Sequence, residues 1–304
     1  MAPPTPAGLE LYLDVSDISD PGWLERLLRV IRGHCREEGF AFVVEGPLRS
    51  LDGTFFDLSV NSQANLEVIR RVVRAAEALG AAAAVLHLIA PRPPTMPATR
   101  QQREKALDDA LAMARVYALA CQQVGVVPTL ENIPPVSRMR EGQYYQSLIG
   151  MDPRDLRFVA AQTSGLRVTL DVSHAQLYVN CVRDGSAAEQ SESVPAEVRQ
   201  LVDPLRESGG VSSLDDYISF LEGLIEEVHI SNARGILGEG LPYDCGDIDL
   251  DRMVRRLSRL ARYLVTETIE PDPSHAVHMR LAQSRVLAAL DHSSMGAGCG
   301  PVKS

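Results

Sequence analysis

The stretch VTLDVSHAQ, residues 168–176, is an apolar run that ends abruptly in Asp171 and places His174 three residues later. A short run rich in Val and Leu is typical of a strand buried in a parallel sheet. Because a carboxylate is almost never fully buried without a partner, its position at the end of such a strand needs an explanation. The stretch therefore predicts a strand whose carboxyl end lies at a functional site.

Similar runs recur along the chain and alternate with helical segments, such as residues 64–79 and 101–123. The seven runs are LELYL (9–13), FAFVV (40–44), AAVLHL (83–88), VVPTLE (126–131), LRVTLD (166–171), EEVHI (226–230) and RYLVTE (262–267). Repeated strand and helix predict an α/β fold, with a parallel sheet wrapped by helices, and right-handed crossovers close such units into a TIM-type (β/α)8 barrel. We expect a single domain over residues 1–292.

A complete barrel of this type needs eight βα units, and the sequence offers seven. The missing unit is the first, since the chain begins almost immediately with LELYL. Either the barrel is open at that edge, another segment covers it, or the start was assigned too far downstream. Because an uncovered edge strand promotes aggregation, we expect a terminal segment, a partner chain or a second copy of the chain to fill the gap.

Two segments do not follow the strand and helix rhythm. Residues 179–213 are polar and rich in Ser, Glu and Gly. Long loops in compact domains are usually functional or disordered, so this segment predicts an insertion or small lid over one mouth of the barrel. Residues 293–304 predict a flexible C-terminal tail.

The composition narrows the class of protein and its partners. The formal net charge is -10, and no stripe of Lys and Arg interleaved with aromatic residues offsets it, which makes nucleic acid an unfavourable partner. No basic leader and no apolar stretch of membrane-spanning length is present in the sequence. The five cysteines are widely spaced without a CxxC pair, as expected for reduced thiols in the cytoplasm. The sequence thus favours a cytoplasmic protein that acts on a small molecule.

Polar side chains stand at the carboxyl ends of five of the predicted strands. They are His87 in LHL, Glu131 and Asn132 in TLEN, Asp171 and His174 in LDVSH, His229 and Asn232 in VHISN, and Glu267 and Glu270 in VTETIE. In a barrel of parallel strands these ends converge on one face, where active sites lie. Residues far apart in the sequence are therefore expected to meet in space.

Four of these residues, Glu131, Asp171, His229 and Glu267, form a set of three carboxylates and one imidazole. Such a set suits one divalent ion, such as Mn²⁺, Mg²⁺, Co²⁺ or Zn²⁺. Without a cation the carboxylates would repel one another and their pKa values would rise. Any one of them alone could be a helix cap, a solvated carboxylate or a hydrogen-bonded core histidine. Their recurrence at the same place on four strands favours a metal site.

The motifs TLEN, LDVSH, VHISN with the following GEGLPYDCGDIDL, and VTETIEPD resemble those of the xylose isomerase-like TIM barrels. This family includes endonuclease IV, sugar epimerases of the tagatose 3-epimerase kind, and isomerases and dehydratases of inositol pathways. The resemblance runs from LELYL to the last helix. It implies that the four residues bind one divalent metal, and that Glu131 and Glu267 are also the catalytic acid and base.

The function implied is a metal-dependent isomerase or epimerase of a sugar or a sugar-like hydroxy-carbonyl compound. One glutamate would remove the proton next to a metal-bound carbonyl, and the other could return it from the opposite face. The residues expected to bind substrate are His87, His174, Asn132, Arg234 and Glu239. Alternatively, His174 orients Asp171 or bonds to the backbone, Asn132 caps a turn, and Arg234 is a solvated loop residue.

Three other functions stay open. A dehydratase of a keto-polyol would begin with the same proton abstraction. An endonuclease IV-like phosphodiesterase is suggested by His87 and by Glu45, which stands in VVEGP where that enzyme has a zinc-binding histidine. Against it, the loop RGILGEGLPYDCGD (234–247) lacks the histidine of the nuclease's third metal site. Finally, a barrel without its first unit could be a non-catalytic subunit.

Overall fold

The computed structural model describes residues 5–34, 39–92, 99–138, 144–183, 198, 205 and 209–295. Seven parallel strands form a nearly closed barrel. With the strands numbered along the chain, they are β1 (Gly8–Tyr12), β2 (Ala41–Glu45), β3 (Ala83–His87), β5 (Val127–Glu131), β8 (Arg167–Asp171), β9 (Ile225–Ile230) and β12 (Tyr263–Thr266). They pair in that order, and all seven coincide with the predicted runs, so the predicted fold class is confirmed.

Helices follow the barrel strands and cover the outside of the sheet. They are α1 (Val15–Ser19), α2 (Trp23–His34), α3 (Gln63–Leu79), α4 (Arg100–Gln123), α5 (Pro153–Ala161), α6 (Val172–Arg183), α7 (Leu214–Leu221), α8 (Leu250–Leu257) and α9 (Val277–Met295). Local sequence explains several starts. Ser62 caps α3, Thr99 and Gln102 form a capping box at α4, and Asp152 caps α5 just before Pro153.

The main apolar core lies between the sheet and the helices. All five residues of β3 are buried, as are four of the five in both β5 and β8. Helix α3 packs on this layer through Val68, Ile69, Val72 and Val73. The helical spacing of these four residues is that of a helix with one apolar face, as the sequence predicted.

The two end strands are more exposed than the central ones. Strands β1 and β12 lie at opposite ends of the sheet order, and among the described residues no further strand pairs with either free edge. All four residues of β12 are partly exposed, and on β1 Leu9 and Tyr12 are 43% and 46% exposed. In the described part of the chain the barrel therefore has seven strands and a gap between the first and the last, as the sequence predicted.

Short strands extend beyond the carboxyl ends of the barrel strands and frame its mouth. Strands β4 (Pro91–Arg92), β7 (Tyr144–Ser147) and β6 (Val136–Arg138) make one small sheet, and β10 (Asn232–Arg234) pairs with β11 (Gly238–Leu241) as a hairpin. Gly150 packs against the main chain that follows β3 and is hydrogen-bonded to the main chain that follows β5. Its φ is +89°, a side chain on it would lie 1.7 Å from the Leu88 carbonyl oxygen, and its own carbonyl accepts from the Ile133 amide at 3.2 Å.

The two segments outside the strand and helix rhythm are described only in part. Residues 179–183 complete helix α6, whereas 184–197, 199–204 and 206–208 of the predicted lid lie outside the described residues. Helix α9 reaches Met295, and residues 296–304 of the predicted tail also lie outside them. In the part of the chain that is described, no helix combines the length and apolar character needed to cross a membrane.

Candidate metal centre

The structure brings the four predicted ligands together at the carboxyl ends of adjacent strands. Glu131 and Asp171 are the last residues of β5 and β8, His229 lies near the end of β9, and Glu267 directly follows β12. The register aligns Asp171 with His229 on the neighbouring strand. One ligand atom from each residue can be chosen so that all four lie within 4.8 Å of one another. The spacing suits a single cation between them.

The cluster is buried on the side of the barrel interior and reaches solvent on the side of the barrel mouth. Glu131, Asp171 and His229 are buried, whereas the Glu267 side chain is 42% exposed. His229 Nδ1 lies 2.7 Å from Glu267 Oε2 and 3.6 Å from Glu131 Oε1. The exposed side of Glu267 is therefore the side from which a substrate could approach.

Unpaired polar atoms support a cation in this cluster. Glu131 Oε2, His229 Nδ1 and Glu267 Oε2 are buried without a hydrogen-bond partner, and the short contact of Nδ1 with Oε2 lacks hydrogen-bond geometry. Buried polar atoms are normally paired, so the unpaired His229 Nδ1 and Glu267 Oε2, which lie 2.7 Å apart, indicate a ligand beside them, whereas Glu131 Oε2 lies 3.4 Å from His87 Nε2. Three carboxylates and one imidazole fit Mn²⁺, Mg²⁺, Co²⁺ or Zn²⁺, and the residues present therefore fit the metal that the sequence predicted.

The sequence alone suggested that the pKa values of all three carboxyls rise without a cation. In the structure the pKa of Asp171 is raised, whereas the pKa values of Glu131 and Glu267 are lowered. Burial, together with Glu267 and Glu131, raises the pKa of Asp171 to about 7 despite the opposing effect of His174. Burial acts to raise the pKa of Glu131, but the nearby imidazoles have the larger effect and hold that pKa well below its ordinary value. The pKa of Glu267 is lowered in the same way by His229, against the effect of burial.

His87 and His174 also lower the pKa of Glu131, and the imidazole with the largest effect on Glu267 is His229. Burial opposes its protonation, but Glu10, Glu267 and Glu131 outweigh that effect and hold its pKa well above the ordinary value. The pKa of His87 is instead lowered by burial, so His87 is neutral at neutral pH. The carboxylates around His229 thus favour positive charge at this place, as they would favour a metal ion.

Asn132 and His174 hold the ligand strands in place. The buried Asn132 amide donates to the Asp171 carbonyl at 2.9 Å and accepts from the Asp171 amide at 2.8 Å. Both ends of the side chain thus bind the main chain of Asp171, as a backbone link between the two strands requires. His174 Nδ1 lies 2.9 Å from the Asn132 carbonyl oxygen, which can only accept, so Nδ1 carries the proton and Nε2 is free to face the mouth.

The other predicted substrate residues differ in their positions. Glu239, on β11, places Oε2 at 3.9 Å from His174 Nε2, close enough to share a ligand with it. His87 is buried, with Nε2 at 3.2 Å from Glu45 and 3.4 Å from Glu131, so it packs behind the ligand cluster. Arg234 is exposed at the end of β10 and forms no ion pair with the described residues of the cluster.

Sequence reasoning missed two acidic residues, Glu10 and Glu227, which lie inside the barrel one layer deeper. Glu10 Oε2 is 3.0 Å from His229 Nε2, and Glu227 is fully buried two residues before His229. Alternation along a strand was the available signal, because residues two apart face the same side of a sheet. In EEVHI this places Glu227 on the inner face together with His229.

The chain matches the family model of the xylose isomerase-like TIM barrel over residues 7–285. The chain belongs to the xylose isomerase-like TIM barrel family. The resemblance inferred from the four motifs is thereby confirmed. None of the curated proteins matches the sequence.

Solved structures similar to this family member include several epimerases. A D-tagatose 3-epimerase-like protein has a TM-score of 0.66 and 14% identity, over 96% of this chain and 91% of that one. An L-ribulose 3-epimerase has a TM-score of 0.63 and 14% identity, over 97% and 89%. The 3-keto-D-glucoside 4-epimerase of E. coli has a TM-score of 0.56 and 14% identity, over 90% and 87%. At these identities the comparison establishes the fold.

The buried charges predict how stability depends on pH in the metal-free protein. Asp171, whose pKa burial raises to about 7, keeps a proton when folded that the unfolded chain has lost above a pKa of about 4. His174 and His229, whose pKa values are raised against the effect of burial by neighbouring carboxylates, likewise keep protons that the unfolded chain loses above a pKa of about 6.5. The free energy of unfolding should therefore fall from about pH 5 to about pH 8.

Urea denaturation in the presence of EDTA measures this slope. Each proton held only by the folded state contributes about 1.4 kcal/mol per pH unit, so Asp171→Asn should flatten the decline by up to that amount. A free energy of unfolding that rises over the same interval would contradict these charge assignments.

Proposed function

We propose that the protein is a divalent-metal-dependent isomerase or epimerase of a sugar or a sugar-like hydroxy-carbonyl compound. The observation that supports this most directly is the convergence of Glu131, Asp171, His229 and Glu267 around one point, where His229 Nδ1 and Glu267 Oε2 have no hydrogen-bond partner. Glu131 ends strand β5 and Glu267 follows strand β12. Strands β8 and β9 lie between these two in the sheet order, so the two carboxylates reach this point from different directions. Such a pair suits proton removal on one side and proton return on the other.

The charge states of the glutamates fit this chemistry. A divalent ion in the cluster would polarise a substrate carbonyl and so make the neighbouring C–H more acidic. Glu267 is partly exposed towards the mouth, and its lowered pKa, set by His229 against the effect of burial, keeps it ionised and able to accept a proton. Glu131, whose pKa the nearby imidazoles lower against the effect of burial, is buried, and its proposed role is to return the proton from the inner side of the site. His174 Nε2 and Glu239 can hold a substrate hydroxyl between them.

Several observations favour a sugar over the alternatives. The similar structures named above are epimerases of a ketose or a keto-sugar by their own descriptions. The net charge of -10 disfavours a polyanionic substrate such as DNA. The loop after β9 lacks the histidine that the third metal of endonuclease IV would need. Dehydration of a keto-polyol shares the first step and differs only in the product.

Solvent exchange tests the proposed base directly. With Mn²⁺ and a panel of keto-sugars in D₂O, the protein should place deuterium on the carbon next to the carbonyl of its substrate. Glu267→Gln should slow this exchange by about 10²- to 10⁴-fold because the substituted amide cannot accept the proton. Mass spectrometry of the recovered sugar measures both.

The matched control is Glu77→Gln, which changes an exposed carboxylate near the end of α3 and should exchange at the wild-type rate. Product that has lost water instead would identify a dehydratase. Exchange in Glu267→Gln close to the wild-type rate would remove this residue from the mechanism, provided that its melting temperature is unchanged.

We infer that a second copy of the chain covers the open edge of the barrel. Leu9 on β1 is 43% exposed beside an edge that has no partner strand among the described residues, which is unfavourable for an isolated monomer. Sedimentation should then show a dimer that Leu9→Lys converts to a monomer. Val116→Lys changes a residue of similar exposure (46%) on α4 and should leave the dimer intact. A wild-type monomer at micromolar concentration would contradict the inference.

A further inference from the structure

The two ring nitrogens of His229 face different partners. Nδ1 points to the proposed metal position, 2.7 Å from Glu267 Oε2. Nε2 points the other way, into the barrel, and lies 3.0 Å from Glu10 Oε2. The ring is fully buried, so protein groups and not solvent decide which nitrogen carries a proton.

This arrangement sets a competition between two carboxylates for the ring protons. A histidine can bind a metal only through a nitrogen that presents its lone pair, and the hydrogen bond of the other nitrogen decides which one that is. Glu267 would draw a proton onto Nδ1, the nitrogen that must be free. Glu10 draws a proton onto Nε2, the nitrogen that faces away from the cluster.

We propose that Glu10 is a positioning residue that accepts the Nε2–H of His229 and so holds Nδ1 ready to bind the cation. This role rests on the metal site of the proposed function but adds a residue that lies outside the ligand set. Glu10 touches neither the metal position nor the substrate. It acts only through the orientation and tautomer of His229.

The position of Glu10 is fixed by the fold. Strand β1 aligns Glu10 with Val43 of β2, and only 7% of the Glu10 side chain is exposed. In the sheet order, β9 and β1 are separated by β12 and the gap. The contact between Glu10 and His229 therefore spans the open edge, and it joins the first strand of the chain to the strand that supplies the imidazole.

A neighbouring carboxyl provides a matched control. Glu227 belongs to the same buried group as Glu10 and His229, but its Oε2 accepts from the Thr169 hydroxyl at 3.1 Å, and it forms no described hydrogen bond with His229. The Thr169 hydroxyl lies 2.7 Å from the Thr129 hydroxyl, which bonds to the Ala84 carbonyl oxygen at 3.0 Å. Glu227→Gln therefore removes a carboxyl from the same layer without touching the imidazole.

Zinc affinity, measured by competition with a chelator, tests the role without any assay of turnover. Glu10→Met should weaken binding about 10- to 100-fold, the usual effect of losing the partner of a ligating histidine. Glu10→Gln keeps an oxygen that can accept the Nε2–H and should restore most of the affinity. Glu227→Gln should bind zinc as the wild type does.

The Co²⁺-loaded wild type supplies a second readout that needs no variant. His229 is the single imidazole of the quartet, so the proton NMR spectrum should contain one strongly shifted, slowly exchanging N–H resonance, which Glu10→Met should lose to exchange. Wild-type affinity in Glu10→Met, equal losses in Glu10→Met and Glu227→Gln, or the absence of that resonance in the wild type would overturn the role of Glu10. A wild type that binds neither ion would instead overturn the metal site itself.

Discussion

The burial of several carboxylates beside one another is the constraint on which the site depends. Glu131 and Asp171 are almost completely inaccessible to solvent, and an isolated charge in such a place is strongly disfavoured. Imidazoles stand between the carboxylates, and His229 contacts Glu10, Glu131 and Glu267. The imidazoles of His174 and His229 cannot balance this many acids, so further protons or a metal ion must supply the remaining positive charge.

The barrel can accommodate these charges because the outward and inward faces of its strands lie in different environments. The outward faces of the strands pack on the helices in the apolar core, and the inward faces carry the polar groups. Backbone contacts then hold the ligand strands in register, as in the clamp of Asn132 on the main chain of Asp171. A rigid support of this kind keeps the carboxylates close together even though they repel one another.

The strands and the convergence of Glu131, Asp171, His229 and Glu267 could be predicted from the sequence because these residues stand at the carboxyl ends of apolar runs. Glu131 and Asp171 are the plainest examples, since a carboxylate at the end of a run rich in Val and Leu breaks the local pattern. Glu10 could not be found in this way. In LELYL it occupies the position where a polar residue would usually face solvent, and only the closing of the barrel turns that position inward.

The roles of some residues also depended on tertiary contacts. Asn132 follows Glu131 directly, and its residue type suits a helix cap, a substrate contact or a backbone clamp equally well. The structure distinguishes them because Asp171, 39 positions away, uses both ends of the amide. Arg234 suited an anionic substrate group by its charge, but it lies exposed on the hairpin after β9. Sequence spacing alone does not determine such placements.

The central claim is that the quartet holds one divalent metal, and the metal content of the purified protein tests it most directly. Elemental mass spectrometry should find one metal per chain, and the metal should be lost in Asp171→Ala. No metal in the wild type, even after reconstitution with Mn²⁺, or two or more metals per chain, would contradict the account.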